Sequence, residues 1–321
     1  MFLWQALKIR KALKARGILG MNQRNADFIL PFNQRKYYPL VDNKCTTKTL
    51  ATKAGVRVPE VYMVVEIEKQ IETLHHFLEK QEDFVLKPAS GSGGSGIWVI
   101  TSRMYGRYRK SSGALAGRSE FEHHISNILS GMYSLSGLND VAIIEYRVKT
   151  DPFFDQISYR GVPDVRTILF RGVPVMAMLR LPTQISDGKA NLHQGAIGVG
   201  VDIRTGKTIM GVMQNQVMMS HPDTGTSIQG LVLPYWDEIL KLSAMCYEFA
   251  PLDYMGVDIV IDRDKGPMLL ELNARPGLSI QICNGEGLYH RLKTIEAVKE
   301  IPTRAEDRVA LSKELIKGVL L

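Results

Sequence analysis

The stretch GVDIVIDRDKGPMLLELN, residues 256–273, decides the fold prediction because it has the pattern of a β-hairpin. Two apolar runs flank the polar segment Arg263 to Gly266, which is typical of a turn between antiparallel strands. If Asp262 pairs with Pro267, every later pair in the hairpin follows by counting outward from the turn. The sequence therefore predicts two buried, paired strands with a defined register.

In that register three polar side chains converge on one face of the hairpin. Asp258 lies directly opposite Glu271, and Asn273 lies two residues further along the same face, opposite Gly256. Facing carboxylates repel each other unless a cation lies between them, and oxygen ligands without clustered Cys or His favour Mg²⁺ or Mn²⁺ over zinc. The alternative is an exposed hairpin with solvated acids, but the apolar frames VDIVI and MLLEL favour burial. We therefore predict metal ligands at Asp258, Glu271 and Asn273.

A glycine-rich loop, SGSGGSG at residues 90–96, lies between the apolar runs FVLKP and IWVI. A dinucleotide fingerprint would need a helix after the glycines, and no Walker A ending is present. The pattern predicts a β-loop-β flap whose backbone N–H groups could close over phosphates, with Lys87 as a point charge beside it. The alternative is a flexible hairpin turn.

The composition is that of a globular protein. The chain has 321 residues, of which 45% are hydrophobic and 23% are charged, and the net charge is +7. This charge suits an anionic partner such as a nucleotide phosphate, nucleic acid or acidic lipid, or serves solubility alone. Cys45, Cys246 and Cys283 are scattered, which excludes a disulfide framework or zinc site by spacing and favours a reducing cytoplasm.

The N-terminal segment MFLWQALKIRKALKAR, residues 1–16, predicts a basic amphipathic helix. Apolar residues that can share a helical face alternate with basic residues that lie elsewhere. Packing of this helix on the rest of the fold is the favoured interpretation, and docking on a membrane or on a membrane-protein partner is the alternative. The apolar residues are Leu3, Ala6, Leu7 and Leu13, and the basic ones are Lys8, Arg10 and Lys11.

Helical and strand patterns alternate along the chain without an internal repeat, which predicts an α+β fold. The basic, Gly- and Ser-rich segment from Arg103 to Arg118 predicts a mobile surface loop. Strands are predicted near residues 56–65, 84–87, 141–148, 165–170, 174–181, 195–203, 256–262 and 268–273. Helices are predicted near residues 42–54, 71–82, 120–129 and 237–249, and after Pro302.

The order of lysine, glycine flap and acidic hairpin resembles the ATP-grasp superfamily of carboxylate–amine ligases, over about Val41 to Gln281. The most similar branch is that of the α-L-glutamate ligase (RimK-like) enzymes. The resemblance implies an ATP-grasp fold, in which two α/β lobes grip ATP between them. It also implies an N-terminal arm at residues 1–40, an ATP-grasp domain at 41–321 and a lid at about 84–148. Family members usually carry a whole domain before the first lysine, and compared with them the N-terminal segment is reduced.

The same resemblance assigns nucleotide contacts residue by residue. The stretch VDNKCTTKTLATKAGVRVP matches the element of the first phosphate lysine, VLKPASGSGGSGI matches the second lysine and flap, and IIEYRV matches the hinge strand that cradles adenine. Asn43 stands where the family commonly has an acid. The implied contacts are Lys44, Lys87, Ser90, Gly91, Gly93, Gly94, Ser95, Gly96, Glu145, Tyr146, Arg147 and Asp151.

Four further residues are implied around the transferred phosphate. Arg166 follows Asp164 in a D-x-R element, Arg180 lies on the next predicted strand, and Asn191 lies in KANLHQGA. Arg275 stands where glutamate ligases have a small residue, and its guanidinium could bind a carboxylate or phosphate at two points. The catalytic candidates are therefore Arg166, Arg180, Asn191 and Arg275, while the role of His193 stays open.

The function implied is an ATP-dependent ligase that forms an amide or peptide bond through an acyl phosphate. ATP and two Mg²⁺ or Mn²⁺ ions would be required, and the partners would be small-molecule or peptide carboxylates and amines. Homodimers are frequent in the superfamily. The alternative is an ATP-binding regulatory or scaffold module without turnover. Nucleic-acid binding is disfavoured, since the chain shows neither an aromatic-basic RNA motif nor a helix-turn-helix pattern.

Overall fold

The computed structural model describes residues 2–91, 93–134 and 137–316, and its strands form two antiparallel sheets. The first sheet has the order β1-β6-β2-β3-β4-β5, and the second has the order β11-β10-β9-β8-β7-β12-β13. The strands are β1 Val61–Val65, β2 Phe84–Pro88, β3 Trp98–Met104, β4 Arg107–Lys110, β5 Leu115–Ala116, β6 Ala142–Glu145, β7 Asp164–Phe170, β8 Val173–Leu181, β9 Ile197–Val201, β10 Thr208–Met213, β11 Gln216–Met218, β12 Tyr254–Asp262 and β13 Gly266–Asn273.

Helices cover both sheets, and the α+β prediction is confirmed. The α-helices are α1 Phe2–Ala15, α2 Met21–Arg24, α3 Leu30–Phe32, α4 Pro39–Asp42, α5 Lys44–Lys53, α6 Ile71–Leu78, α7 Arg118–Leu129, α8 Trp236–Phe249, α9 Ile280–Asn284, α10 Leu288–Glu296 and α11 Ala305–Leu315. Short 3₁₀ turns occur at Arg35–Tyr37, Glu68–Gln70, Pro152–Phe154 and Leu192–Gln194, and a π turn occurs at Asn25–Ile29. No helix in the described ranges combines the length and the apolar character that crossing a bilayer requires.

The first sheet has its own hydrophobic core, because α6 and α7 each present a buried stripe. Leu74 and Leu78 lie one turn apart on α6, and Phe121, Ile125 and Ile128 recur at helical spacing on α7. All five side chains are buried. The core that they form with β2, β3 and β6 holds the ends of the glycine-rich loop, which connects β2 to β3.

The second sheet is buried on both faces, which explains its continuous apolar runs. Every residue of β7 and β12 is buried, and β8 is buried except at Arg180. Helix α8 packs on β12 and β13, and α9 packs on β9. A strand enclosed in this way has no solvent face to carry polar residues, so a charged residue within it needs a partner.

The segment Arg103–Arg118 is not the surface loop that the sequence predicted. Instead it completes the edge of the first sheet with β4 and β5, which pair in succession from β3. Tyr105 and Gly106 both adopt positive φ at the first turn, and Tyr108 is buried in the core. Glycine and serine therefore mark tight turns in this segment, and one buried aromatic side chain fixes the strand between them.

The arm before residue 41 contains two different parts. Trp4 and all residues from Lys8 to Arg16 on and just after α1 are exposed. Of the apolar residues that were predicted to pack on the fold, Leu13 is exposed, whereas the side chains of Leu3, Ala6 and Leu7 lie outside the described ones, so packing of the helix stays a prediction. By contrast, Leu19, Phe28 and Ile29 are buried in the main hydrophobic core. The division at residue 40 itself stays a prediction, as do the lid boundaries.

Candidate active site

The hairpin β12–β13 contains the predicted pair of Asp258 and Glu271, but its register near the turn differs from the predicted one. Near the turn Asp262 pairs with Gly266, not with Pro267, so the predicted register is wrong there by one residue. Leu270 is then an extra residue in β13, a bulge that shifts the pairing, and Asp258 pairs with Glu271. The bulge thus restores the predicted juxtaposition of the two acids.

Asp258 lies at the centre of a buried network of charges. Strand β7 places Arg166 directly beside it, and β8 places Arg180 one strand further away. Arg166 donates to the two Asp258 carboxylate oxygens from Nε at 2.7 Å and from Nη2 at 2.6 Å. Arg180 donates from Nη2 to Asp258 Oδ2 at 2.7 Å and forms a two-point contact with Asp164. Asp164 and Asp258 therefore both have guanidinium partners.

The two buried acids respond differently to this network. Burial alone would raise the pKa of Asp258, but the Arg166 and Arg180 guanidiniums outweigh it and hold that pKa well below its usual range. Burial raises the pKa of Asp164, and the charge of Asp258 adds to this effect despite its contact with Arg180. Since the two carboxylates share Arg180, we consider Asp258 to be the one whose anionic form is firmly held.

The three predicted metal ligands lie together, but they are not equally available. Asp258 is completely buried, whereas Glu271 and Asn273 are half-buried. The Asn273 amide nitrogen lies 3.2 Å from Asp258 Oδ2 and 3.4 Å from Glu271 Oε1, so it bridges the acids. No cluster of three His, Cys, Asp or Glu side chains suited to a metal occurs in the described ranges. Glu271 and the Asn273 amide oxygen fit a hard cation, whereas both oxygens of Asp258 already accept from arginine.

A second cluster lies on the first sheet, where Glu145 is paired with two lysines. Lys87 on β2 and Glu145 on β6 are diagonal neighbours, and their charged atoms lie 2.6 Å apart. Lys48 Nζ lies 3.1 Å from the other Glu145 oxygen and donates to the Pro59 carbonyl at 2.9 Å. The sequence prediction missed Lys48, although its position four residues after Lys44 on a helix signals a shared face.

Lys44 connects the two clusters. Its helix α5 begins after Asn43, whose side chain accepts a hydrogen bond from the Thr46 N–H. Its Nζ donates to the Gly91 carbonyl at 2.5 Å. Burial lowers the pKa of Lys44, and the charge of Glu271 acts in the opposite direction because that carboxylate is close. An ammonium group between two charged clusters of different sheets is suited to an extended anion.

The glycine-rich loop is held at both ends and contacts the second sheet. At its start, the Ser90 N–H donates to the Asp140 carboxylate at 2.9 Å. At its tip, the Gly93 carbonyl accepts from the Asn191 amide at 3.4 Å and from the Gln194 amide at 3.2 Å. The loop from one sheet therefore reaches the turn before β9 of the other, at the predicted residue Asn191. Gly93, Gly94 and Gly96 all adopt positive φ.

Gly96 illustrates why glycine is required in this loop. A Cβ atom added there would lie 2.6 Å from a carbon of the Tyr133 ring, closer than any van der Waals contact. The Gly96 carbonyl also accepts a hydrogen bond from His124 Nε2 at 2.9 Å. The end of the loop is therefore fixed by close approach of its backbone to His124 on α7 and to Tyr133, which follows that helix.

The other predicted contacts are engaged with protein partners. The Tyr146 hydroxyl donates to Asp262 at 3.0 Å, and the Arg147 guanidinium donates to Asp83 at 2.7 Å. The Asp151 carboxylate accepts from the Phe153 N–H at 2.9 Å, which caps a short turn. The Tyr146 N–H is also engaged, since it donates to the Glu60 carbonyl at 2.8 Å. The adenine contact at this hinge segment therefore stays a prediction.

Arg275 and His193 lie at the surface. The Arg275 guanidinium lies 5.1 Å from the centre of the Tyr38 ring, and its charge opposes the effect of burial on the pKa of Asp42. The His193 backbone N–H donates to the Asn191 side chain at 3.0 Å, which orders this turn. Arg275 is thus a cation with open access to solvent beside the buried hairpin.

A family model described as sugar-transfer associated ATP-grasp matches residues 23–297. This chain belongs to the sugar-transfer associated ATP-grasp family. The match covers the glycine-rich loop, both lysines and the acidic hairpin of this ATP-grasp protein. The sequence-based resemblance to the ATP-grasp superfamily is thereby confirmed, whereas the likeness to the α-L-glutamate ligase branch is not.

Solved structures similar to this ATP-grasp protein are distant in sequence. The D-alanine–D-alanine ligase from Coxiella burnetii is 12% identical with a TM-score of 0.47, over 88% of this chain and 62% of that chain. The corresponding ligase from Bacillus anthracis is 13% identical with a TM-score of 0.44, over 88% and 69%. The ATP-grasp ligase PsnB, complexed with a minimal precursor, is 16% identical with a TM-score of 0.41, over 77% and 56%. This ATP-grasp chain thus spans little more than half of PsnB. No curated protein matches it.

Proposed function

We propose that this ATP-grasp protein uses ATP and Mg²⁺ to join a carboxylic acid to an amine, with ADP and phosphate as products. The observation that carries this proposal is the position of Lys44. Its ammonium group lies close enough to both Lys87 and Glu271 for their charges to influence its pKa. One anion could therefore contact the lysine cluster of the first sheet and the acidic hairpin of the second.

The first chemical step is phosphoryl transfer to the acid. A carboxylate oxygen of the substrate attacks the γ-phosphorus of ATP, the bond to the bridging oxygen breaks, and ADP leaves. Lys44 and Lys87 would stabilise the phosphate charges, and Arg166 and Arg180 would do so from the opposite side. Mg²⁺ held by Glu271 and Asn273 would neutralise further phosphate charge when bound.

The second step forms the amide. The amine attacks the acyl carbon of the acyl phosphate, inorganic phosphate leaves, and the amine nitrogen loses a proton. No protein nucleophile is needed, so positioning and exclusion of water carry the rate. The contact of the Gly93 carbonyl with Asn191 and Gln194 supports exclusion of water, because it closes the glycine-rich loop against the second sheet.

The proposed acid carries a second negative group. Arg275 is exposed, has a planar guanidinium with several donors, and adjoins the hairpin. Because glutamate ligases have a small residue at this position, acids other than L-glutamate that carry a phosphate or a second carboxylate are the first to test. A cytoplasmic location and a homodimer also remain proposals; Cys45, Cys246 and Cys283 are free thiols, which suits a reducing compartment.

The test measures ADP release from ATP and Mg²⁺ in the presence of paired pools of acids and amines. We expect a signal that needs one acid and one amine. Glu271→Gln should lower it by about a hundredfold or more, whereas Lys53→Gln, an exposed position on the same helix as Lys44, should leave it unchanged. Mass spectrometry of the product would identify the new amide bond.

Two other outcomes would contradict the proposed ligase activity or the proposed position of its catalytic centre. Tight ATP binding without turnover across the pools would favour the regulatory or scaffold module. Turnover that persists at full rate in Glu271→Gln would contradict the assignment of the hairpin as the catalytic centre.

A further inference from the structure

Helix α1 carries large apolar side chains that no part of the described structure covers. Trp4 is 66% exposed, Ile9 is 57% exposed and Leu13 is 47% exposed. Ile9 and Leu13 are four residues apart, so they lie on the same side of the helix. Trp4 lies on the opposite side of the helix from Leu13, because each residue turns an α-helix by about 100°. Ile9 and Leu13 therefore form the exposed apolar side of this 14-residue helix, and two such neighbours favour a partner.

The same helix is strongly basic. Six basic residues and no acidic residue precede Asp27 in the chain; the basic residues are Lys8, Arg10, Lys11, Lys14, Arg16 and Arg24. The first five are exposed, and the Lys8 ammonium lies 3.7 Å from the centre of the Trp4 ring. Trp4 and Lys8 therefore lie on the basic side of the helix, away from Ile9 and Leu13, so α1 has one basic and one apolar side.

The rest of the protein holds α1 at its C-terminal end. His290 Nε2 donates to the Ala15 carbonyl at 3.1 Å, and the Gly287 N–H donates to the Arg16 carbonyl at 3.0 Å. The Tyr289 N–H donates to the Gly17 carbonyl at 3.0 Å. These contacts fix where the helix leaves the body, and its exposed side chains stay available to a partner.

We propose that α1 binds the surface of an anionic lipid bilayer. A helix of 14 residues is about 21 Å long, too short to span the roughly 30 Å hydrocarbon core, so it would lie in the interface. Ile9 and Leu13 would enter the boundary between headgroups and acyl chains, and the lysines and arginines would meet anionic headgroups. A nucleic acid would match the charges but would leave the aliphatic side chains in water, which favours lipid.

The test uses the full-length protein and sedimentation with lipid vesicles. Vesicles of phosphatidylcholine mixed with an equal amount of phosphatidylserine should retain the protein, and vesicles of phosphatidylcholine alone should not. High salt should release it, because screening shortens the range of the charges to about 3 Å at 1 M. Because Ile9 and Leu13 form the exposed apolar side of α1, the double variant Ile9→Ser, Leu13→Ser should lower retention of the protein by the mixed vesicles.

Charge reversals on α1, compared with the same number elsewhere, distinguish lipid binding by this helix from a general effect of the protein's net charge. The triple variant Lys8→Glu, Lys11→Glu, Lys14→Glu should lower the partition coefficient by about a hundredfold or more. The control triple Lys53→Glu, Lys80→Glu, Lys299→Glu changes net charge equally at exposed positions elsewhere and should retain binding. Equal losses in both triples, or no preference of the native protein for phosphatidylserine, would overturn the proposal. Neither outcome depends on ligase activity.

Discussion

Glu145 has very little contact with solvent and lies between two ammonium groups, from Lys87 and Lys48. Loss of either lysine would destabilise the protein, because the Glu145 oxygen that it contacts would remain buried without a partner. Two lysines around one acid leave one net positive charge in the cluster. That charge is available to phosphate without an isolated buried cation.

The first prediction concerns Lys48→Met, which preserves most of the aliphatic volume and removes the charge. We expect the free energy of unfolding to fall by about 1–3 kcal/mol, because one Glu145 oxygen and the Pro59 carbonyl lose their donor. We expect ATP to bind about tenfold more weakly, since the cluster loses its net charge. Chemical denaturation and titration calorimetry measure the two effects. Lys53→Met on the same helix is the control and should change neither.

The pH dependence of ATP binding gives a second readout on Lys48. Burial lowers its pKa to about 8, although Glu145 acts in the opposite direction. The group is charged below that pH and neutral above it, and an anionic ligand favours the charged form. ATP affinity should therefore decrease as pH rises through about 8, with proton uptake on binding. A decrease of the same size in Lys48→Met would show that another group is responsible.

At the scale of single residues, the sequence predicts which residues belong to the candidate site more readily than it predicts which residues they contact. Lys87 and Asp258 could be selected because a charged residue beside an apolar run needs an explanation. Lys44 was implied only by the resemblance to the ATP-grasp superfamily. The pairing of Asp258 with two arginines could not be predicted from β12 alone, since it depends on the order of β8, β7 and β12 in the sheet. Lys48 was missed because a lysine on a helix is ordinarily solvated.

Among the secondary-structure elements, the connection between β2 and β3 depends most on glycine. The second prediction is that Gly96→Ala weakens ATP binding, because the new methyl group would enter the Tyr133 ring and the position has φ of +74°. Gly113→Ala is a matched control on the same sheet, since its φ is +90° and its surroundings are open. Both variants should lose about 1–2 kcal/mol from backbone strain. Only Gly96→Ala should raise the dissociation constant of ATP, measured by calorimetry.

The segment between α1 and α4 connects to the loop after β13 through buried polar groups. Arg24 is buried and donates to the Pro276 carbonyl at 2.6 Å. The Asn33 side chain exchanges hydrogen bonds of 2.7 and 2.8 Å with the backbone of Tyr254, at the start of β12. The arm thus holds the open end of the acidic hairpin, where β12 begins and β13 ends.

The third prediction is that Arg24→Met lowers turnover as well as stability. The Pro276 carbonyl would lose a buried donor, which costs about 1–3 kcal/mol, and the neighbouring Arg275 would be less well positioned. We expect the KM for the acid to rise more than the KM for ATP. Steady-state kinetics with thermal unfolding measures this, and Arg16→Met, an exposed arginine of the same arm, is the control. Equal changes in both KM values would indicate general loosening.

Local sequence patterns predict some features of the secondary-structure elements and not others. The hairpin could be predicted because its strands are apolar and its turn is polar, but the bulge at Leu270 could not, because leucine fits either a regular strand or a bulge. The segment Arg103–Arg118 was predicted as a loop because glycine and serine dominate its turns. Its pairing with β3 is a tertiary interaction that composition does not encode.

At the scale of the whole molecule, two sheets with separate cores contact each other through the glycine-rich loop, and the proposed ATP site lies between them. The fourth prediction is that ATP with Mg²⁺ raises the unfolding temperature, because a ligand that binds only the folded state stabilises it by about 2.7 kcal/mol at 100 times its dissociation constant. Removal of Mg²⁺ with EDTA should reduce the shift, and Glu271→Gln should abolish the Mg²⁺-dependent part. Scanning calorimetry with and without EDTA measures it. An unchanged Mg²⁺ effect in Glu271→Gln would exclude that carboxylate as a ligand.

The contact between Arg24 and Pro276 has a consequence for synthesis on the ribosome. The two residues are 252 positions apart in the chain. At about 5–20 residues per second, the nascent arm waits roughly 10–50 s for its partner to emerge. During that interval Phe28 and Ile29 lack the strands that bury them, so the nascent chain is exposed to chaperones and proteases. The loop after β13 therefore reaches its final contact with the arm only after Pro276 has been synthesised.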